Sequence, residues 1–288
     1  MLVVGATLLV FDNAAAQNSG GTSEEAQDPQ VESGIGIDAT TQYFFRGILQ
    51  ENQGAIVQPW VDFVFPLFEG ENTSWSFNIG IWNSLHDGPT GSSGAGQTMH
   101  YELDGYAGIG VEFADNWSGS VSYVALTSPN SAFATVQELD FSISFDDASL
   151  FGGESSGFSG VQPSVTVAWE LNGQSDGGAE EGIYLEVGIE PALALNDDEN
   201  WPVSVSFPVA AGFSLSNYYE GGTGSDDFFG FAQAGVALST PLNFVSARLG
   251  SWTLSGAVSI LFLGSNLQAI NGGDSSEAIL SLGLGIGF

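Results

Sequence analysis

The sequence predicts an all-β chain, a transmembrane antiparallel up-and-down β-barrel of about twelve strands. Three observations predict it. From residue 33 to the end, segments of roughly ten residues alternate apolar and polar side chains, with Gly, Asp, Asn and Ser between them. No useful helical period interrupts them, and no later stretch reaches the ~18 consecutive apolar residues of a membrane helix. Aromatic residues gather near the predicted strand ends: Tyr43, Phe45, Trp60, Trp75, Trp82, Trp117, Trp201, Tyr218, Tyr219 and Trp252. Interfacial girdles of a membrane barrel have that placement.

The chain opens with an apolar run, Leu2 to Phe11, followed by Ala14-Ala15-Ala16. This reads as an export signal peptide over residues 1–16, although the positive start of such a segment is missing; a buried core segment is the alternative. Residues 17–32, "QNSGGTSEEAQDPQVE", are polar and acidic and read as a flexible tail. The barrel is expected over residues 33–288. Its strands are expected at 34–45, 55–65, 74–83, 99–113, 117–127, 134–145, 160–171, 182–195, 203–218, 228–240, 251–263 and 277–288.

The two faces of these strands separate cleanly. In the last strand Leu280, Leu282, Leu284, Ile286 and Phe288 share one face, opposite Ser281 and three glycines. In 134–145, Leu139, Phe141, Ile143 and Phe145 oppose Glu138, Asp140, Ser142 and Ser144. In 99–113 the parity puts Met99, Tyr101 and Leu103 outside and His100, Glu102 and Asp104 inside. A soluble sandwich turns its apolar face to a second sheet, whereas a membrane barrel turns it to lipid and lines a wet interior with the polar face. Strand length favours the barrel.

The charge is extreme: 34 acidic residues against Arg46 and Arg248, a net charge of −32. Nucleic acid is excluded as a partner, because phosphate binding needs clustered bases. Cysteine is absent, which removes disulfides, thiol nucleophiles and thiolate metal sites.

The C-terminus "SLGLGIGF" resembles the signal by which bacterial outer-membrane barrels are handed to the barrel-assembly machinery. Ser281, Gly283, Ile286 and Phe288 carry the likeness, and Ile286 departs from the usual aromatic. An even strand number then puts both termini in the periplasm. The expected outer loops are 46–54, 84–98, 128–133, 172–181, 219–227 and 264–276. The expected inner turns are 66–73, 114–116, 146–159, 196–202 and 241–250, of which 146–159 is long for that side.

The segment "TTQYFFRGILQENQGAIVQPWVDF" resembles the N-terminal signature of the TorF-type porin family. Tyr43, Phe45, Arg46, Gly47 and Gln50 match, Gln58 follows, and Leu49 stands where serine is usual. "FNIGIWNSL" and "YELDGYAGIG" are similar to two further blocks, so the likeness covers residues 37–113. It implies an outer-membrane barrel with a pore function and no catalytic residues.

The expected lumen face carries Asp38, Asp62, Glu102, Asp104, Glu138, Asp140, Glu170, Glu186 and Glu190. Carboxylate rings concentrate cations, so small solutes or cations are the expected partners of the lumen and outer-membrane lipid that of the exterior. Solubility of an acidic surface is the alternative. Arg46 falls on the inward parity above these acids, while Tyr43 and Phe45 would face lipid. Asp62 or Glu102 is its expected partner; a solvated loop charge is the alternative. His86, in a loop, and His100, inward, assemble no Ser/His/acid triad in the sequence. His86-Asp87 and acidic loops such as "DDEN" lack the spacing of a metal site, and no cofactor is implied.

Overall fold

The computed structural model describes residues 31–94, 98–196, 198, 201–221 and 224–288. The expected signal peptide and the tail up to residue 30 lie outside the described residues.

The chain leaves the terminal end of the barrel along β1 (Glu32–Thr40). A short hairpin follows, β2 (Tyr43–Phe45) and β3 (Ile48–Glu51), which forms its own two-stranded sheet. The wall resumes with β4 (Ile56–Glu69), β5 (Thr73–His86), β6 (His100–Phe113), β7 (Trp117–Thr127), β8 (Val136–Phe145) and β9 (Ser164–Asn172). It continues through β10 (Ile183–Ile189), β11 (Ala192–Ala194), β12 (Ser204–Ser206) and β13 (Val209–Ser216). It ends with β14 (Phe229–Pro241), β15 (Ser251–Leu263) and β16 (Ser276–Gly287).

Twelve strands close the ring, in the order β1, β4 to β10, β13 to β16, and β16 pairs antiparallel back onto β1 from Gly34↔Gly287 to Thr40↔Ser281. Closure pairs the wall backbone from strand to strand, which is the condition for a sheet to sit in hydrocarbon. β10 and β11 lie on one line, broken at Pro191, and β12 and β13 on the next, broken at Pro208. Proline has no N–H to give the ladder. The pairing Ile189↔Val209 nevertheless continues as Ala192↔Ser206, so the register survives both breaks.

The wall is inside out, as the alternation requires. Leu282 (59 % exposed), Val258 and Ile260 point outward, while Glu138, Glu170 and Ser84 on the other face are buried. All twelve expected strands have counterparts, but several local expectations fail.

The first expected strand, 34–45, is two elements: the chain leaves the wall after Thr40 and drops into the lumen. Residues 46–51 are therefore no outward loop. Tyr43 and Phe45 do not face lipid; they are 3 % and 4 % exposed inside the barrel. Of the expected girdle residues, Trp60, Trp82, Tyr218 and Tyr219 also turn inward. Trp60 donates to Asp38, Trp82 packs on Tyr43, and the two tyrosines are buried. The outward Trp75, Trp117, Trp201 and Trp252 all sit at the terminal end.

In β6 a bulge opposite Ser84/Leu85 reverses the parity. Tyr101 enters the lumen at 5 % exposure, whereas His100 pairs with outward-facing Leu85 and meets Asn83 Oδ1 at 3.0 Å. His86 is not in a loop but is the last residue of β5. The long terminal-end connection holds two single-turn 3-10 helices, Ala148–Phe151 and Gly153–Ser156. Residues 157–159 then run beside β11, with Ser159 N bonded to Ala192 O and Ala194 N to Gly157 O, so this turn is long because it completes the wall.

Candidate functional site

The site is the lumen, and the β2–β3 hairpin divides it. Phe45 and Ile48 flank a two-residue turn, Arg46-Gly47, with φ of 47° and 84°. Two positive φ values are the mark of the turn that matches hairpin twist. Gly47 is required twice over: its φ disfavours other residues, and a Cβ there would meet Leu267 Cδ1 at 2.6 Å.

Each face of the hairpin has its own apolar cluster. Phe44 and Ile48 pack with Tyr184, Tyr218, Tyr219, Phe231 and Leu267, the last from helix α1 (Ser265–Ile270) over the loop end. Tyr43 and Phe45 pack with Ile56, Tyr101, Val124, Leu126 and Val136 of the wall. These are inward positions that a wet pore would leave polar. At the loop end they build a dry core instead.

The tip is fixed by directed bonds. Arg46 Nη1 donates to Glu138 Oε1 at 2.8 Å and to Tyr218 Oη at 2.6 Å, and Nη2 stands 3.5 Å from Asp140 Oδ2. The expected pairing with Asp62 or Glu102 is thus wrong. The hairpin brings Arg46 against β8 instead. Burial pushes the guanidinium down, but Glu138, then Tyr218 and Asp140, push it further up, so it stays charged. Tyr219 Oη donates to the Arg46 carbonyl at 3.0 Å. Asn271 clamps the next residues, donating to Gly47 O at 2.7 Å and accepting from Leu49 N at 2.9 Å.

The base of the hairpin is held by a second polar chain. Thr90 donates from both its hydroxyl (2.7 Å) and its backbone N–H (2.8 Å) to Glu51 Oε2. The Thr90 hydroxyl also meets His86 Nδ1 at 2.7 Å, and His86 Nε2 meets Ser84 Oγ at 2.7 Å. Ser84 and His86 are both 0 % exposed, and His86 is stacked on Tyr101 at 4.3 Å. Burial pushes the Glu51 carboxyl up, yet the bonds from Thr90, Gln53 and Asn52 outweigh it and hold it below the ordinary value.

The expected lumen acids all point inward, but they do different things. Glu102, Asp104, Glu138, Asp140 and Glu170 are buried around the hairpin; Glu170 accepts from Ser175 N and Gly182 N. Glu186 accepts from Tyr184 Oη at 2.5 Å. Asp62 is buried below the hairpin, Asp38 accepts from Trp60 Nε1 at 3.0 Å, and Glu190 is exposed at the terminal end, accepting from Ser206. Asp62 Oδ2, Glu102 Oε2, Asp104 Oδ1, Glu138 Oε2 and Asp140 Oδ1 make no hydrogen bond within the protein. A small recess of about 30 Å³ remains beside the hairpin, lined by Asp38, Gln42, Gln58, Gln233, Ser259 and Ser281 among others.

The chain matches no protein-family model and no curated protein. Among solved structures it is similar to an outer-membrane channel from Pseudomonas putida F1, with 9% identity, a TM-score of 0.53, and coverage of 94% of this chain and 100% of that one. It is also similar to LpxR from Salmonella typhimurium, at 9% identity, TM-score 0.47, and 88% and 99% coverage. A third is the NanC porin, at 9% identity, TM-score 0.40, and 89% and 99% coverage. The fold is that of outer-membrane barrels. At such identities the likeness extends to the fold and no further.

The C-terminal residues close this barrel. Ser281 and Gly283 face the lumen, and a Cβ on Gly283 would meet Asp38 Oδ1 at 2.3 Å. Ile286 pairs with Trp252 on the outer face, and Phe288, 66 % exposed, exchanges backbone bonds with Ser33. Missed in the sequence were the plug's partners: Tyr184, Tyr218, Tyr219, Glu51, Thr90 and Asn271.

Proposed function

We propose that the protein is an outer-membrane channel for small hydrophilic solutes, cation-preferring, whose loop-end half is closed by the β2–β3 hairpin. The observation that carries this is the lining. A closed barrel with an apolar exterior encloses a lumen whose ionisable groups are nearly all carboxyls, with Arg46 their buried counter-charge. Further support comes from the terminal-end half, where Ser120, Ser142, Ser144, Thr166 and Gly188 face the lumen with small side chains and are only half-buried. The "QYFFRG" segment supports membership of the TorF-type porin family, since the residues of that signature form the hairpin itself. In this reading the chain is exported by residues 1–16, assembled through its C-terminal strand, and set with its termini in the periplasm.

Purified protein in planar bilayers tests it. The expected result is a small, intermittent conductance whose reversal potential in a salt gradient favours the cation. A reversal potential favouring chloride would overturn the selectivity. A second reading, a non-conducting barrel whose loops bind a partner, is favoured by the dry packing on both faces of the hairpin. Absence of current from folded protein, with the hairpin excised as well as intact, would select it.

A further inference from the structure

Arg46 is held by more than an ion pair. Its guanidinium carbon lies 4.6 Å from the ring centre of Tyr184, 5.5 Å from that of Tyr218 and 4.8 Å from that of Phe45. Aromatic faces together with carboxylates around a planar cation make up a recognition site for organic cations. Of these groups only Phe45 belongs to the hairpin. Glu138, Asp140 and Tyr184 are on the wall and Tyr218 on the loop that follows β13, so the site persists when the hairpin leaves.

The site is also under-neutralised. Glu138 Oε2 and Asp140 Oδ1 have no hydrogen bond within the protein, and neither do Asp104 Oδ1 and Glu102 Oε2 of β6. All four residues are at most 5 % exposed. One guanidinium leaves these acceptors unused, and a buried carboxylate oxygen without a donor is costly. Among the described residues, no three His, Cys, Asp or Glu side chains converge as a metal's ligands would.

We propose that this is a binding site for small organic cations bearing a guanidinium or primary ammonium group, filled in the closed barrel by the chain's own Arg46, and that such a solute opens the lumen by displacing the hairpin. The opening half rests on the channel reading above, and the binding half stands without it.

The test for binding is calorimetry on the full chain in detergent, titrated with methylguanidinium chloride. Arg46→Ala empties the site and should bind the probe about tenfold more tightly than either the unaltered chain or the double variant R46A/E138Q. Equal binding by R46A and R46A/E138Q overturns the site. Where R46A fails to migrate as a folded barrel on an unheated gel, Arg46→Gln, which fills most of the same space without the charge, is compared with R46Q/E138Q on the same terms.

The test for opening is bilayer recording with agmatine against sodium chloride at matched ionic strength. Agmatine should raise the open fraction of the unaltered channel severalfold and leave a hairpin-excised variant unchanged. An excised variant that conducts, beside an unaltered one indifferent to agmatine, overturns the displacement. Silence from both overturns the channel reading, while the calorimetry still decides the site.

Discussion

The two halves of the lumen are built on opposite principles. At the loop end, inward positions carry Val124, Leu126, Val136, Tyr184 and Phe231, which meet the hairpin and bury it as a soluble protein buries its core. At the terminal end, the inward positions of the same strands carry mainly serine, threonine and glycine. In β8, for instance, Val136, Glu138 and Asp140 are buried by the plug, and Ser142 and Ser144 beyond them are only half-buried. The barrel wall is continuous, so the difference comes entirely from the residues facing inward. A lumen is dry or wet by side-chain choice and not by strand number.

The largest effect should come from uncoupling the hairpin from the wall. Glu138→Gln leaves the buried Arg46 guanidinium short of its nearest charge and is expected to destabilise hairpin docking by about 3 kcal/mol or more. The barrel itself should stay closed. Bilayer conductance would rise towards that of a hairpin-excised variant, and unchanged conductance would mean that the halves are not separable.

Gly47→Ala comes next. The positive φ costs an L-residue about 1–2 kcal/mol, and the added Cβ strikes Leu267. Faster protease cleavage within residues 41–55 of the folded protein is the expected readout. At the terminal end, Ser144→Leu meets no packed neighbours from the hairpin and should change stability by less than about 0.5 kcal/mol. It should lower the conductance of the excised variant only. A large loss of stability would show the terminal half to be packed as well.

The smallest effect concerns acid. The Glu51 carboxyl stands below its ordinary value in the folded protein. Its contribution to hairpin docking is therefore complete above the unfolded value and is lost as pH falls through the lowered one. Cleavage of the hairpin base should accelerate only at pH below about 4, and Glu51→Gln should abolish that pH dependence.

This division was half legible in the sequence. Alternation such as Leu280, Leu282 and Leu284 against Ser281 and Gly283 reports which face meets lipid, and it placed the wall strands closely. The hairpin was hidden because alternation says nothing about where a strand lies. Tyr43 and Phe45 have the same spacing whether they gird a membrane or fill a pore. Arg46 was read as the inward top of a wall strand; it lies instead at the tip of the hairpin, so its partner depends on how the hairpin lies in the lumen. Asp62, Glu102, Glu138 and Asp140 share one parity, so only the fold could choose among them. Tyr101 and His100 exchanged faces through a single extra residue, which no periodicity contains.

The hairpin joins neighbouring wall strands, β1 and β4, through residues 41–42 and 52–55 only. At roughly 3.5 Å per residue, a displaced hairpin stays within a short reach of the lumen it has left. A tethered group on so short a leash competes at an effective concentration on the order of millimolar. Any free cation must contend with that captive rival. If the hairpin gates the lumen as proposed, opening would be tied to the abundance of the solute: traces would be ignored, and only a plentiful solute would prevail.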